Sequence, residues 1–134
     1  MEGKILIDTS AWIEFFRKRD ERIYSLVAAL LREEKAVGSG LIILELLRGG
    51  KSLKELNVIN ELFSLIENVH PNLETFLLAG KMGYELSKKG NTLAVVDLLI
   101  AQLSIENHLA LLSLDKHFKV IATTFDLKLF DGLS

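Results

Sequence analysis

Two short apolar runs, Ile5-Leu6-Ile7 and Leu109-Ala110-Leu111-Leu112-Ser113-Leu114, lack the alternation of a half-exposed strand, and each leads directly into an aspartate, Asp8 and Asp115. Strands without alternation are buried on both faces, as in parallel sheets covered by helices. The chain has 134 residues, enough to bury a core without staples, and it contains no cysteine for disulfides or thiolate sites. One proline and nine glycines leave little material for linkers. A single α/β domain over residues 1–134 is the expectation, with no internal repeat.

The first strand reads as Lys4 to Asp8, after which Thr9 or Ser10 caps a helix from Ala11 to about Arg19. A second helix, Glu21 to Glu34, places Ile23, Leu26, Val27, Leu30 and Leu31 at helical spacing, and Ala36 to Ser39 reads as the second strand. Ser39 or Gly40 opens a helix to Leu47 that Gly49 and Gly50 end, and another helix covers Ser52 to Ile66. Asn68 to His70 is extended before the lone Pro71. Helices follow over Leu73 to Lys89 and Leu93 to Asn107, then the strand Leu109 to Leu114, a short helix after Asp115, and an edge strand, Leu127 to Phe130.

Four carboxylates stand where this pattern calls for apolar side chains or where a buried strand ends. Asp97 interrupts Leu93-Ala94-Val95-Val96-Asp97-Leu98-Leu99-Ile100-Ala101, with Ala101 and Ser104 leaving room beside it one and two turns on. Glu45 interrupts Leu41-Ile42-Ile43-Leu44-Glu45-Leu46-Leu47, and Asp8 and Asp115 end strands. Burying an ionised carboxylate without a partner costs several kcal/mol, in round numbers about 3–5. Singly, each has a plain alternative: Asp8 and Asp115 as helix caps, Glu45 paired with Arg48, Asp97 turned to solvent. Jointly, if the first strand and the strand ending at Asp115 are neighbours across a reversal of strand order, Asp8 and Asp115 meet at the carboxyl edge of the sheet, where ligand sites form, and Glu45 and Asp97 can join them. Close acids of this kind need cations to stay ionised, and hard oxygen ligands without thiolates suit magnesium or manganese, the metals of phosphodiester hydrolysis.

At these residues the sequence resembles the PIN-domain ribonucleases, and within them the VapC toxins of toxin–antitoxin pairs. The matching stretches are the strand opening into Asp8-Thr9-Ser10, then Ile43-Leu44-Glu45-Leu46-Leu47-Arg48-Gly49, Val96-Asp97-Leu98-Leu99-Ile100-Ala101, and Ser113-Leu114-Asp115-Lys116-His117-Phe118. The resemblance implies a three-layer sandwich around five parallel strands in the order 3-2-1-4-5. It also implies a magnesium- or manganese-dependent endoribonuclease leaving 3′-hydroxyl and 5′-phosphate ends. Asp8, Glu45, Asp97 and Asp115 would be its catalytic and metal-site acids, with Ser10 and Ser113 as supporting hydroxyls. His117 departs from the pattern, standing where many relatives carry another acid, which weakens the case for a second metal. It reads as a structural or solvent-facing histidine. Arg48 and Lys116 lie beside motif acids and are the basic residues assigned to substrate phosphates.

The helix from Leu53 to Ile66 carries apolar residues around well over half its circumference, and the first helix carries Trp12, Phe15 and Phe16. Each is either packed between neighbours or an interface. The resemblance makes such surfaces a homodimer contact and a groove for the antitoxin. Housekeeping RNA processing without an antitoxin, and a non-catalytic RNA- or protein-binding module, are the alternative functions. A phosphoacceptor domain would need an acidic pair where Asp8-Thr9-Ser10 stands. Gly38-Ser39-Gly40 lacks the third glycine of a dinucleotide loop, and no Gly-x-Ser-x-Gly elbow occurs. The N-terminus has no signal-peptide pattern and no apolar run approaches the length of a membrane span, so the expectation is a cytoplasmic protein without membrane contact. The formal charge of −2 excludes a uniformly basic nucleic-acid binder.

Overall fold

The computed structural model describes Met1 and residues 3–131. Strand β1 (Ile5–Ile7) is followed by helices α1 (Thr9–Arg17) and α2 (Glu21–Arg32), and β2 (Ala36–Gly38) by α3 (Gly40–Arg48) and α4 (Leu53–Leu65). After β3 (Glu67–Asn68) come α5 (Leu73–Lys88), α6 (Val95–Glu106), β4 (Ala110–Leu112) and α7 (His117–Ala122). All three strand pairings are parallel, in the order β3-β2-β1-β4. Ile5 pairs with both Ala36 and Ala110, and Leu6 with Val37 and Leu111, so β1 lies between its neighbours with every residue buried. The chain moves outward from β1 to β2 to β3, then crosses back to β4 on the other side of β1. The strand order therefore reverses between β1 and β4.

The helices fall into two groups. Helices α1 to α4 pack on one another, while α5 packs on α6 and α6 on α7. Their anchors differ in kind. On the first side Trp12, fully buried, holds its ring centroid 4.9 Å from Phe63 of α4 and 5.8 Å from Phe15 and Phe16. Arg17, in the last turn of α1, grips the Glu55 carboxylate through Nε and Nη2, and Glu55 also accepts the Lys51 N–H. On the second side α6 is mostly apolar, and Leu98 through Ser104, nearly two full turns, are all buried. A helix of that composition must be covered on every side, which α5, α7 and β4 accomplish.

Among the described residues four parallel strands form the sheet, not five. The segment Leu127 to Phe130 makes one parallel bridge, Leu111 to Leu129, with the Leu111 N–H donating to the Lys128 carbonyl and the Phe130 N–H to the Leu111 carbonyl. The Leu127 N–H bonds the carbonyl of Phe125 two residues back, a tight turn that admits the chain to the edge only from Lys128 onward. Short contact of this kind is how natural sheets blunt an edge.

Gly38 in β2 marks the closest packing. A Cβ there would lie 2.5 Å from Asn68 Oδ1 and 2.6 Å from Phe63 Cε1. Neither neighbour can retreat, because Asn68 donates through Nδ2 to the carbonyls of Phe63 and Ile66 while Phe63 is wedged against Trp12. Gly38→Ala is expected to cost about 1–3 kcal/mol, read as a lower urea midpoint at unchanged slope. A midpoint equal to that of the wild type would show that β2 and β3 are less tightly joined than the geometry requires.

Candidate functional site

Asp8 follows β1 immediately and is only 7% exposed. It occupies the N-cap position of α1 in extended conformation, yet its side chain makes no capping bond. The Asp8 carboxylate is spent elsewhere. Ser113, one residue past β4, donates its hydroxyl to Asp8 Oδ2 at 2.8 Å, and Ser10 donates to the same oxygen at 3.1 Å. The two serine oxygens lie 3.3 Å apart, and each also accepts a backbone N–H, from Leu114 to Ser10 and from Asp115 to Ser113. The ends of β1 and β4 are thus laced together around one carboxylate, as parallel neighbours at the reversal point allow. Thr9 and Ser10 do not cap α1. Their hydroxyls serve carboxylates instead, that of Thr9 donating to Glu45 Oε1 at 2.7 Å across from α3.

Asp97 lies in the first turn of α6, where the amino end of the helix favours negative charge. It faces the loop after β4. Asp97, Asp115 and His117 each place one potential ligand atom within 4.8 Å of the others. His117 Nδ1 stands 3.2 Å from Asp115 Oδ1 and 3.5 Å from Asp97 Oδ2, while its ring remains largely exposed. Asp115 also accepts the backbone N–H of His117 two residues on, although the N-cap position of α7 falls on Lys116 and not on Asp115.

The electrostatics join the parts. Burial, the largest influence, raises the pKa of Asp8 above the ordinary carboxylate value against the lowering effect of the serine hydroxyls, and Glu45 adds repulsion. Asp97 is raised too, first by burial and then by the charges of Asp115 and Asp8, with His117 acting in the opposite sense. Glu45, Asp8, Asp97 and Asp115 therefore form one run of mutually repelling carboxylates. Among the described residues the tight group of possible ligands is Asp97, Asp115 and His117, while Asp8 and Glu45 couple to it through charge. Uncompensated negative charge and hard oxygen donors fit a divalent cation of the magnesium or manganese type, and the imidazole is a donor that manganese accepts more readily.

The basic residues stand apart. Arg48 and Lys116 are exposed, and neither forms an ion pair among the described residues, so the pairing of Glu45 with Arg48 does not occur. Two site residues escaped the sequence reading. Thr9 was assigned to a cap, and its position directly after Asp8 was the available signal. His117 was read as structural or solvent-facing, and it is exposed, but it also bridges two acids.

Acids drawn from the ends of β1 and β4 and from α3 and α6, converging where a parallel sheet reverses, define a PIN fold. The chain belongs to that family, since the PIN domain profile matches residues 5–123. Within it, the chain is 31% identical to Ribonuclease VapC1 of Methanocaldococcus jannaschii, covering 97% of this chain and 89% of that one. Among solved structures it is similar to a chain of VapBC-1 from nontypeable Haemophilus influenzae, at 25% identity and TM-score 0.75, covering 95% of this chain and 96% of the other. The DNA-bound VapBC of Salmonella typhimurium has the same fold, with TM-score 0.79 at 22% identity and coverage of 96% and 97%. Among the described residues no helix is long and apolar enough to cross a membrane.

The raised pKa of Asp8 has a sign that can be tested. A carboxyl whose folded-state pKa lies above its unfolded value contributes stability when protonated, and loses that contribution as pH rises through the folded-state value. In the presence of a chelator, Asp8→Asn is therefore expected to melt above the wild type near neutral pH. The gap should close as pH falls through the carboxylate range toward about 4. Thermal melts across that range decide the point, and a wild type that outlasts Asp8→Asn at neutral pH would contradict it.

Proposed function

We propose that this chain is an endoribonuclease of the VapC type, the toxin partner of a toxin–antitoxin pair, cleaving RNA at the run of acids along the β1–β4 edge. The observation that carries the reading is the convergence of Glu45, Asp8, Asp97 and Asp115 in a chain aligned over nearly its whole length with a named ribonuclease. The relatives are a ribonuclease and VapBC complexes, so neither a housekeeping processing enzyme nor a non-catalytic module is favoured.

Asp8, Asp97, Asp115 and Glu45 are the residues that would hold magnesium or manganese, with His117 adjacent. When bound, such an ion supplies Lewis-acid activation of water and neutralises the charge of the phosphate. The chain's own groups do the positioning. Ser113 fixes Asp8 with its proton and the Asp115 backbone with its oxygen, so one hydroxyl sets the spacing of two strand-end acids. Ser10 repeats the arrangement with Asp8 and the Leu114 N–H. Both serines are committed to these bonds, and neither is free to act as a nucleophile. The reaction adds water across a P–O3′ bond, leaving a 3′-hydroxyl and a 5′-phosphate. Arg48 and Lys116, exposed beside Glu45 and Asp115, are assigned to the flanking phosphates.

A cleft of about 650 Å³ between the α1–α2 corner and α4 has an apolar floor of Phe15, Phe16, Tyr24, Val58 and Leu62, with Lys18 at its rim. It suits the apolar face of a short helical segment, and we assign it to the antitoxin. Of the two readings that the sequence leaves open for α1 and α4, both apply in part: Phe15, Phe16, Val58 and Leu62 line this cleft, and other residues pack between neighbours. Trp12, Ile59 and Phe63 are buried within the protein itself.

Loss of a residue that merely orients a metal ligand costs about 10–100-fold in activity, so loss of a ligand should cost more. Asp97→Asn is expected to lower cleavage of single-stranded RNA by at least that factor with its circular-dichroism spectrum unchanged. Chelation should abolish wild-type cleavage, and added magnesium or manganese should restore it. Wild-type rates from purified Asp97→Asn, or cleavage indifferent to chelator, would refute the assignment.

A further inference from the structure

Beside the acid cluster a cleft of about 410 Å³ runs along the outer side of β4. Its end wall is formed by Ser113 and Asp115, one flank by Phe118 and Lys119 of α7, and the other by Leu129 and Phe130 of the returning segment. The volume is of the size that holds a small molecule. Asp115 belongs both to this cleft and to the group it forms with Asp97 and His117, so a molecule lying in the cleft reaches the acids.

The cleft exists because the sheet edge stops short. Leu111 donates to the Lys128 carbonyl and Phe130 to the Leu111 carbonyl, so a parallel ladder would next take the Ser113 N–H to the carbonyl of Phe130. Among the described residues that bond is not formed, and the two chains part over an apolar floor of Leu111 and Leu112. Leu129 is left 37% exposed and Phe130 only half-buried, although the backbone of Phe130 is pinned to β4. An aromatic ring on a fixed backbone, partly open beside a functional edge, is a platform for an unstacked base.

Charge decides how a nucleotide would lie there. Lys119 is exposed on the α7 flank, three residues after Lys116, and neither lysine forms an ion pair among the described residues. Asp131, also exposed, stands on the opposite flank and repels phosphate from that side. A phosphate is therefore drawn to α7 and the base to Leu129 and Phe130. An apolar peptide side chain would use the floor and neither charge.

We infer that this cleft is a nucleobase subsite. Single-stranded RNA lying across the acids turns one base, next to the phosphodiester that is cut, into the cleft and against the Phe130 ring, while Lys119 holds a neighbouring phosphate. The inference takes its substrate from the ribonuclease reading and rests on it. It adds a grip on one base, which gives the protein a means of choosing where along an RNA it acts.

The test is the affinity of the full chain for a short fluorescent single-stranded RNA, read by anisotropy in calcium, a cation that takes the same oxygen ligands. Nucleotides of the RNA are replaced one at a time by abasic ones. At one position the abasic RNA should bind at least about fivefold more weakly than the parent. Phe130→Leu, which keeps apolar bulk and removes the ring, should weaken the parent RNA by a similar factor and that abasic RNA no further, because both changes delete the same contact. Lys119→Gln, at an exposed position, should weaken parent and abasic RNAs alike and reduce the slope of log affinity against log salt by about 0.7. Equal affinity for the parent and every abasic RNA would overturn the inference, as would a protein that binds none of them. A Phe130→Leu protein with a wild-type melting curve that binds the parent RNA as tightly as the wild type, or loses as much on the abasic RNA as on the parent, would do the same. RNA that binds in the expected pattern and is never cut in magnesium or manganese would uphold the subsite and overturn the nuclease reading alone.

Discussion

The structure turns on a carboxylate buried at the carboxyl end of its central strand. Asp8 cannot leave that position without abandoning the parallel register that places β1 between β2 and β4, and it cannot remain there ionised without donors. Ser113 and Ser10 supply them, and the same hydroxyl oxygens accept the N–H groups of Asp115 and Leu114. A requirement of electrostatics at one atom thereby fixes the path of the loop after β4, and with it the place where Asp115 meets Asp97. The donors do not cancel the cost of burial, since the pKa of Asp8 remains raised. The fold keeps an unfavourable concentration of negative charge because other parts of the molecule are stable enough to hold it, as functional sites commonly require.

Those other parts are uneven in character. The α1–α4 side is held by aromatic packing around Trp12 and by the Arg17–Glu55 pair, which ties the end of one helix to the start of another. The α5–α6 side is held by a helix buried on all faces, from which the Asp97 side chain emerges in the first turn. One polar contact at the far end, from the Thr75 hydroxyl of α5 to Glu106, fixes how α5 lies along α6, and Gln102 of α6 itself donates to the same carboxylate. Asp97 is therefore presented by a rigid element and Asp115 by a tethered loop, so the distance between them is set by the sheet and not by flexible side chains.

What could be read from sequence follows from the same physics. A carboxylate in an apolar run is conspicuous because nothing local explains it, so Asp8, Glu45, Asp97 and Asp115 stood out, as did the parallel strands. Residues whose roles depend on partners far along the chain were read less well. Local pattern offers the Thr9 hydroxyl only a helix cap, when the tertiary acceptor Glu45 competes for it more strongly, whereas Ser10 serves beside Asp8 as the resemblance implies. The fifth strand was inferred from apolar residues at Leu127 to Phe130, but a turn at Phe125–Leu127 limits it to one bridge. The wheel of α4 showed too much apolar surface without saying that Trp12 and Phe63 would meet.

The acidic balance of the chain takes on a different meaning once the site is located. Setting the four site carboxylates aside moves the formal charge from −2 to +2, so the remaining surface is close to neutral and holds no broad basic field. Under the ribonuclease reading, long-range attraction then contributes little to RNA binding, and few counterions are released when the complex forms. Affinity must come from short-range contacts at the acid cluster, from a cation that inverts the local charge, and from Arg48 and Lys116 beside it. An enzyme built this way selects among RNAs by whether a phosphodiester can reach the β1–β4 edge. Exposed single-stranded segments meet that condition more easily than a duplex, whose bases are stacked and whose backbone is held at fixed spacing.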